Sequence, residues 1–181
     1  MKRRTTGTPQ HQSTATPHHR NARQDRNNEQ PDPGEDPREH HRRRPLTVQD
    51  AEALVGAARA AAEAAGVTVA VSVLDAGGHL LAFRRDDRAV LIAGETSTRK
   101  AYTALQWGTP TADLVYAVQP GGLFHTLPTA LDRPLRFIAG GVPVHRDGRL
   151  VGAIGVGGGA PEQDHGFAGA AVTALGRGMA A

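Results

Sequence analysis

Residues 140–159, GGVPVHRDGRLVGAIGVGGG, carry the strongest fold signal in this chain. Two apolar runs, 142–145 and 149–156, are separated by a turn that contains Asp147-Gly148, a dipeptide typical of tight β-hairpins. We therefore predict two antiparallel strands that end in a run of glycines. A helix is expected to begin at Pro161, because proline and the acidic residues after it favour the first turn of a helix.

The rest of the chain after residue 45 predicts a similar alternation of hairpins and helices. Thr47 and Asp50 have the spacing of a capping box, and Gly66 stops the helical apolar pattern that follows them. Paired strands of this kind favour an antiparallel α+β sandwich over a Rossmann sheet. The elements expected outside the quoted stretch are a helix over 48–65, strands over 67–74 and 79–84, a helix over 91–107, a short helix from Thr109, an irregular segment over 119–136 and a strand over 136–139.

The chain divides at about residue 45 into a polar tail and a folded domain. Residues 1–44 carry ten Lys/Arg against six Asp/Glu and contain only three apolar residues. Because such a segment buries too little apolar surface to offset the entropy of ordering, we expect a disordered basic tail over 1–44 and one domain over 45–181. The domain has eleven Lys/Arg against twelve Asp/Glu, so the basic excess of the chain lies in the tail.

Composition excludes several classes of protein. The absence of cysteine rules out disulfides, thiolate metal sites and a cysteine nucleophile. Four Phe, two Tyr and one Trp offer few base-stacking surfaces, so nucleic acid is not an expected partner, and binding by the tail is an alternative based on charge alone. No apolar run approaches 18 residues, so no membrane partner is expected. Arg3-Arg4 is followed by polar residues and not by the apolar stretch of an export signal, so we expect a cytoplasmic protein.

The glycines of 152–159 lie between a predicted strand and a predicted helix, where phosphate-binding loops occur. Glu162 and Asp164 in the first turn of that helix would repel a phosphate. We therefore interpret the glycines as positions of close backbone approach, to a ligand or to a partner subunit.

Lys100 is a candidate site residue because the chain has only one other lysine, Lys2, beside nineteen arginines. The pKa of a partly buried lysine can be tuned, whereas arginine stays charged. Its neighbours Ala101 and Thr103 are small and leave space for a carboxylate ligand. The alternative is an ordinary surface lysine in the turn before Gly108.

His125 is the candidate ligand if the protein holds iron or heme. It follows Phe124 in the long irregular segment, and segments of that length are often functional. No two histidines have the i, i+4 spacing of a helical zinc site. The alternative for His125 is a loop histidine that binds nothing.

Several blocks of the sequence, in the right order, resemble the GlcG/HbpS family. They are VLDAGGHL at 73–80, KAYTA at 100–104, GGVPV at 140–144, DG with VGAIGV inside 147–156 and PEQD at 161–164. The opening Leu46-Thr47 helix matches as well, and the resemblance covers about 45–178. It implies a profilin-like or PAS-like α+β fold with a five-stranded antiparallel sheet, helices packed on the sheet and assembly into a homo-oligomer.

The resemblance also implies a ligand, because some members bind heme or iron and others a corrinoid. Our leading hypothesis is an oligomeric small-ligand-binding protein whose ligand is heme or another tetrapyrrole, with His125 as the ligand of the heme iron. The other expected ligand-binding residues are Lys100, Thr103, Phe124, Phe137, Gly140 and Gly141. Heme would need an apolar slot, which Leu114, Phe124 and Phe137 could line.

The alternative hypothesis is a cofactor-free enzyme, of lyase, isomerase or hydrolase type, that acts on a small polar or anionic metabolite. Its site would lie between the helix that carries Lys100 and the Gly140-Gly141 turn. Lys100 would bind the anionic group, and backbone N–H groups at the glycines would stabilise developing charge. Glu162 or Asp164 would move a proton.

Overall fold

The computed structural model describes residues 44–179, so the predictions for residues 1–43 lie outside the described part. The helices and hairpins expected from the pattern are confirmed, with ends that move by up to three residues. The elements are α1 (Val48–Ala64), β1 (Ala70–Asp75), β2 (Leu80–Arg85), α2 (Ile92–Trp107), α3 (Thr111–Leu114), a 3-10 turn (Val115–Val118), α4 (Leu127–Ala130), β3 (Gly141–Arg146), β4 (Arg149–Gly157) and α5 (Pro161–Met179). Between residues 44 and 179, no helix is both long enough and apolar enough to span a bilayer.

Local signals set the ends of the long helices. The Thr47 hydroxyl accepts a hydrogen bond from the Asp50 N–H at 3.1 Å, and the Asp50 carboxylate accepts one from the Thr47 N–H at 2.9 Å. This reciprocal capping box starts α1 where the sequence predicts it. At the other end of the next long helix, Gly108 takes a left-handed φ of 61° and stops α2.

The strands form one antiparallel sheet in the order β2-β1-β4-β3. The central strand β1 pairs with β4 so that Val73 lies opposite Ile154. Side chains on both faces of β1 are buried, as the run of β-branched residues predicts. The α+β class with an antiparallel sheet is therefore confirmed.

Within residues 44–179 the sheet has four strands, and the expected five-stranded sheet is wrong. The missing strand is the one predicted over 136–139. Its backbone finds side-chain partners instead: the Arg136 N–H donates to the Thr103 hydroxyl at 2.7 Å, and the Ile138 carbonyl accepts from the Thr111 hydroxyl at 2.7 Å. Because threonine hydroxyls satisfy these groups, the segment needs no neighbouring strand.

Helices cover both faces of the sheet. On one face α1 and α5 pack against each other and against valine and isoleucine side chains of β1, β3 and β4, which form the main core. On the other face α2 packs through a smaller set of buried residues, with Leu74 and Ala153 of the sheet meeting Ala101, Ala104 and Leu105 of the helix. Strand β4 is therefore enclosed between the two layers of helices.

The glycines of β4 let α2 lie directly on the strand. A Cβ added at Gly155 would collide with the Ser97 carbonyl and would stand 2.6 Å from the Ala101 nitrogen. A Cβ at Gly157 would stand 2.7 Å from the Thr96 hydroxyl. The close approach expected at these glycines therefore exists, but it is made by a helix of the same chain and not by a ligand or a partner subunit.

Candidate functional site

Lys100 and Asp164 form a buried ion pair between α2 and the first turn of α5. The Lys100 Nζ donates to Asp164 Oδ2 at 2.7 Å and to the Val156 carbonyl at 3.0 Å. Lys100 is 4% exposed and Asp164 is 1% exposed. Lys100 is therefore not the surface lysine of the alternative interpretation, because its side chain is buried and joins α2, β4 and α5.

The carboxylate of Asp164 is held on both oxygens. Its Oδ1 accepts a hydrogen bond from the Gly159 N–H at 2.9 Å. Burial raises the pKa of Asp164, and the hydrogen bond and charge of Lys100 oppose that rise only in part. The ammonium and the carboxylate therefore already compensate each other, so substrate binding by Lys100 and proton transfer by Asp164 stay predictions.

Gly140 and Gly141 close tightly over this ion pair. A Cβ at Gly140, where φ is +125°, would stand 2.9 Å from the Lys100 Nζ and 2.8 Å from the Asp164 Cβ. At Gly141 a Cβ would collide with the Lys100 carbonyl, and the Gly141 N–H donates to the Thr111 hydroxyl at 2.9 Å. We call Lys100, Asp164, Gly140 and Gly141, with Val156, the buried tie. Glu162, the other candidate acid, is exposed on α5.

A second group of predicted residues surrounds Trp107 at the end of α2. The ring of Phe124 meets the Trp107 ring edge-to-face at a centroid distance of 5.3 Å, and Phe137 does so at 6.0 Å. Leu114 and Phe137 are buried against each other and against Leu135. The space that Leu114 and Phe137 were expected to offer a ligand is therefore filled by the chain itself.

The loop side of this aromatic cluster faces solvent. His125 is exposed, and it follows Phe124, which is half-buried against Trp107. Tyr116 is 85% exposed and Leu123 is 86% exposed, which is unusual for large apolar side chains in one short segment. We call residues 115–138 the open segment, because its outer surface combines these side chains with the imidazole.

Two arginines of the open segment, Arg133 and Arg136, do not stand out in the sequence as candidate site residues. The guanidinium of Arg133 lies over the Tyr102 ring, 3.7 Å from the centroid, and donates to the Gly78 carbonyl at 3.4 Å. Arg136 is half-buried, and its Nε is enclosed without a hydrogen-bond partner in the described part of the chain. Both follow Asp132 in a stretch of mixed polar and apolar residues, and nothing local shows that Tyr102 lies within reach of Arg133.

The predicted site residues thus fall into two environments. Lys100, Asp164, Gly140 and Gly141 meet in the buried tie, and Thr103 joins the open segment through its bond from Arg136. Within the described range, no group of three His, Asp or Glu side chains is placed to hold a metal ion by itself. His125 is therefore a candidate ligand only for a metal that brings most of its own coordination, as heme does.

Comparisons with known proteins agree with the resemblance seen in the sequence. The sequence model of the family described as haem-degrading protein HbpS-like matches residues 46–173. The corrinoid adenosyltransferase PduO of Citrobacter freundii is 35% identical over 130 residues, which are 72% of this chain and 39% of that protein. The chain thus spans about two fifths of the length of PduO. Protein GlcG of Escherichia coli K12 is 38% identical over 112 residues, 61% of this chain and 80% of GlcG.

Solved structures show the same similarity in three dimensions. A crystal structure described as a PduOC:heme complex has a TM-score of 0.70 and 35% identity, and the match covers 72% of this chain and 95% of that chain. The crystal structure of HbpS has a TM-score of 0.64 and 36% identity, with 73% and 91% covered. The match of the family model over 46–173, together with these neighbours, shows that the chain belongs to the HbpS-like (GlcG/HbpS) family.

Proposed function

We propose that this protein binds heme or a closely related tetrapyrrole on the outer surface of the open segment. The observation that carries the proposal is its likeness to PduOC, a chain of similar fold that was solved with heme. The family description, haem-degrading, supports the same ligand class. Heme must be bound before it can be degraded, and binding is the step for which this chain offers suitable residues.

The residues of the open segment suit a large flat apolar ligand. Because Leu114 and Phe137 are packed inside, the macrocycle would lie outside them, against Tyr116, Leu123 and the edge of Phe124. Covering those exposed side chains would remove apolar surface from water on both partners. The aromatic pairing of Phe124 with Trp107 holds the adjoining backbone in place.

His125 is the residue that would ligate the iron. Histidine is a common protein ligand of heme iron, and the exposed position would let the His125 ring approach a surface-bound macrocycle. Bound heme would supply an iron centre capable of electron exchange. The chain's own contribution would be to orient the macrocycle, to hold the iron through His125 and to shield one face from water.

The test is a hemin titration of the full chain followed by absorption. The five tail histidines (His11, His18, His19, His40 and His41) are replaced by glutamine, so that the tail offers no imidazole. We expect saturable binding with one hemin per chain and a Soret band that shifts in His125→Ala. His145→Ala is the matched control, because His145 is an exposed histidine on β3.

The outcomes separate the ligand from its coordination. A non-saturating titration would refute heme binding as a property of this chain. Saturable binding with identical spectra in His125→Ala and in the parent protein would support heme binding and show that His125 does not hold the iron.

We also infer that the protein forms a homo-oligomer through the edge of the sheet at β2. Val90, Leu91 and Ile92 are exposed at the start of α2, and the exposed ring of Phe83 on β2 lies against Gly94 of that helix. Leu91 alone is 85% exposed. Exposed apolar residues beside an edge strand favour association with a second copy.

Light scattering after size exclusion tests this inference. Leu91→Glu is expected to lower the mass to that of a smaller species, because it places a charge in the contact. Val48→Glu is the matched control, since Val48 is an exposed apolar residue at the start of α1. A parent protein that is monomeric at micromolar concentration would show that the inference is wrong.

A further inference from the structure

Arg133 differs from the arginines that form ion pairs in how its guanidinium is held. In the structure Arg59 pairs with Asp86, Arg99 with Glu95 and Arg146 with Asp50. Arg133, in contrast, has no acidic partner among residues 44–179, but it is fixed by an aromatic ring and a carbonyl. A positioned guanidinium without a counterion is suited to bind an anion from outside the chain.

The ring that holds Arg133 connects this residue to the aromatic cluster around Trp107. Tyr102, the ring under the guanidinium, packs against Leu114, Leu135 and Phe137. Trp107, the ring under Phe124, packs on the same residues. The stacked guanidinium and the loop that carries His125 therefore lie on the rim of a single cluster. Stacking restricts the rotamers of Arg133 before any ligand arrives, so less entropy is lost when an anion binds.

Arg136 adds a second positive charge to the same segment. Its backbone N–H is fixed by the Thr103 hydroxyl, one residue along α2 from Tyr102. Its enclosed Nε has no acceptor in the described part of the chain, and a buried donor of this kind is normally satisfied. Two guanidinium groups on one short segment, neither paired with an acid among the described residues, raise the positive potential around that segment.

We propose that Arg133, with Arg136 in support, binds the carboxylate side chains of the tetrapyrrole. This inference rests on the proposed function, and it names the polar contact that fixes the orientation of the ligand. A tetrapyrrole such as heme joins an apolar macrocycle to two carboxylates on one edge, which matches a segment that carries both exposed apolar side chains and guanidinium groups without acidic partners among the described residues. A general polyanion is a poorer match, because the domain as a whole carries slightly more acidic than basic residues.

Hemin and hemin dimethyl ester are the two probes, because the ester keeps the iron and the macrocycle but loses both negative charges. We expect the full chain to bind hemin at least about tenfold more tightly than the ester, as a charged hydrogen bond commonly contributes that much. Arg133→Gln should raise the Kd for hemin by about tenfold and leave the Kd for the ester unchanged. The double change with Arg136→Gln should reduce hemin affinity further.

Arg149→Gln is the matched control. Arg149 is an exposed arginine at the β3–β4 turn, and in the described residues it also has no acidic partner. Circular dichroism checks that each variant is folded, which is expected because the Arg133 side chain is exposed.

The possible results distinguish this inference from the proposed function. Equal affinity for hemin and its ester, or equal losses in Arg133→Gln and Arg149→Gln, would overturn carboxylate binding by Arg133 while heme binding survives. Failure of the parent protein to bind either probe would overturn both. A selective loss for hemin in Arg133→Gln supports the inference.

Discussion

The buried tie and the open segment differ in how their charges are satisfied. In the buried tie Lys100 and Asp164 are almost fully enclosed, and each is held by at least one further hydrogen bond from or to the backbone. In the open segment Arg133 and Arg136 have no acidic partner among residues 44–179, and His125 is exposed. A site whose groups satisfy one another stabilises a fold, whereas a site with unsatisfied groups has something to offer a ligand.

This difference changes the interpretation of Lys100, the residue that stands out most in the sequence. Lys100 stands out because lysine is rare in this chain, and the resemblance includes it. Its geometry shows a charge already neutralised inside the protein. Arg133 and Arg136, two individually inconspicuous members of a common residue type, supply positive charge that has no acidic partner among the described residues. The comparison therefore predicts that changes in the buried tie affect stability and changes in the open segment affect binding.

The largest effect is expected from Lys100→Met. Removing the ammonium leaves the Asp164 carboxylate buried without a counterion, which should lower the free energy of unfolding by about 3–5 kcal/mol. Urea unfolding at fixed protein concentration and pH 7 measures it. Lys100→Met combined with Asp164→Asn should recover most of the loss, since the amide oxygen can still accept from Gly159.

The pH dependence of Lys100→Met provides an independent check. Burial already raises the pKa of Asp164, and losing Lys100 removes the interactions that oppose the rise. The folded variant then binds more protons than the unfolded chain, so its stability should increase as pH falls through the folded pKa and decrease as pH rises. A Lys100→Met protein with the parent's pH profile would show that Asp164 is not held as a buried carboxylate.

Gly155→Ala should have the next largest effect. The new methyl group meets the backbone of α2 at Ser97, so the helix must shift, and overpacking of this kind costs about 1–3 kcal/mol. Gly166→Ala is the matched control, because nothing lies within 4 Å of a Cβ there. In the middle of α5 that change should raise stability by about 0.5–1 kcal/mol. Equal thermal midpoints for the two variants would contradict the close packing of α2 on β4.

Phe124→Ala examines the other side of the comparison. It removes one edge-to-face contact with Trp107 from a half-buried position, so the loss of stability should be about 1 kcal/mol. Hemin affinity should fall at least about tenfold, because the loop of His125 loses its anchor. A variant that loses several kcal/mol of stability, or that binds hemin as tightly as the parent protein, would show that Phe124 stabilises the fold and does not contribute to binding.

The smallest effect is expected from Asp86→Asn, at an ion pair that is only half-buried. Burial by itself would raise the pKa of Asp86, but hydrogen bonds from the Val69 N–H and from Arg59 outweigh it, so the pKa lies below its ordinary value of 3.8. The stabilisation is present above that value and is lost as pH falls through the folded pKa. Asp86→Asn should cost about 0.5 kcal/mol at pH 7, because its partner Arg59 is partly exposed, and should flatten the acid limb of the stability curve. An unchanged acid limb would show that other carboxylates control it.

Much of the architecture could be predicted because its signals are local. The capping box at Thr47, the Asp147-Gly148 turn and Pro161 each act within a few residues, and the elements that they delimit form where expected. The prediction of a fifth strand was wrong because the backbone of its segment, 136–139, is held by hydrogen bonds with Thr103 and Thr111, which lie far away in the sequence. No pattern within the segment distinguishes a strand from an extended stretch held by remote hydroxyl groups.

The site divides in the same way. The family, the α+β class and the choice of Lys100 and His125 as candidate residues could be inferred from the sequence, because composition and short motifs carry that information. Which charges neutralise one another could be seen only in the folded chain. The pairing of Lys100 with Asp164 and the stacking of Arg133 on Tyr102 join residues 64 and 31 positions apart, and a separation of that size leaves no local signal. Coulombic and stacking interactions depend on distance in space, which the fold alone supplies.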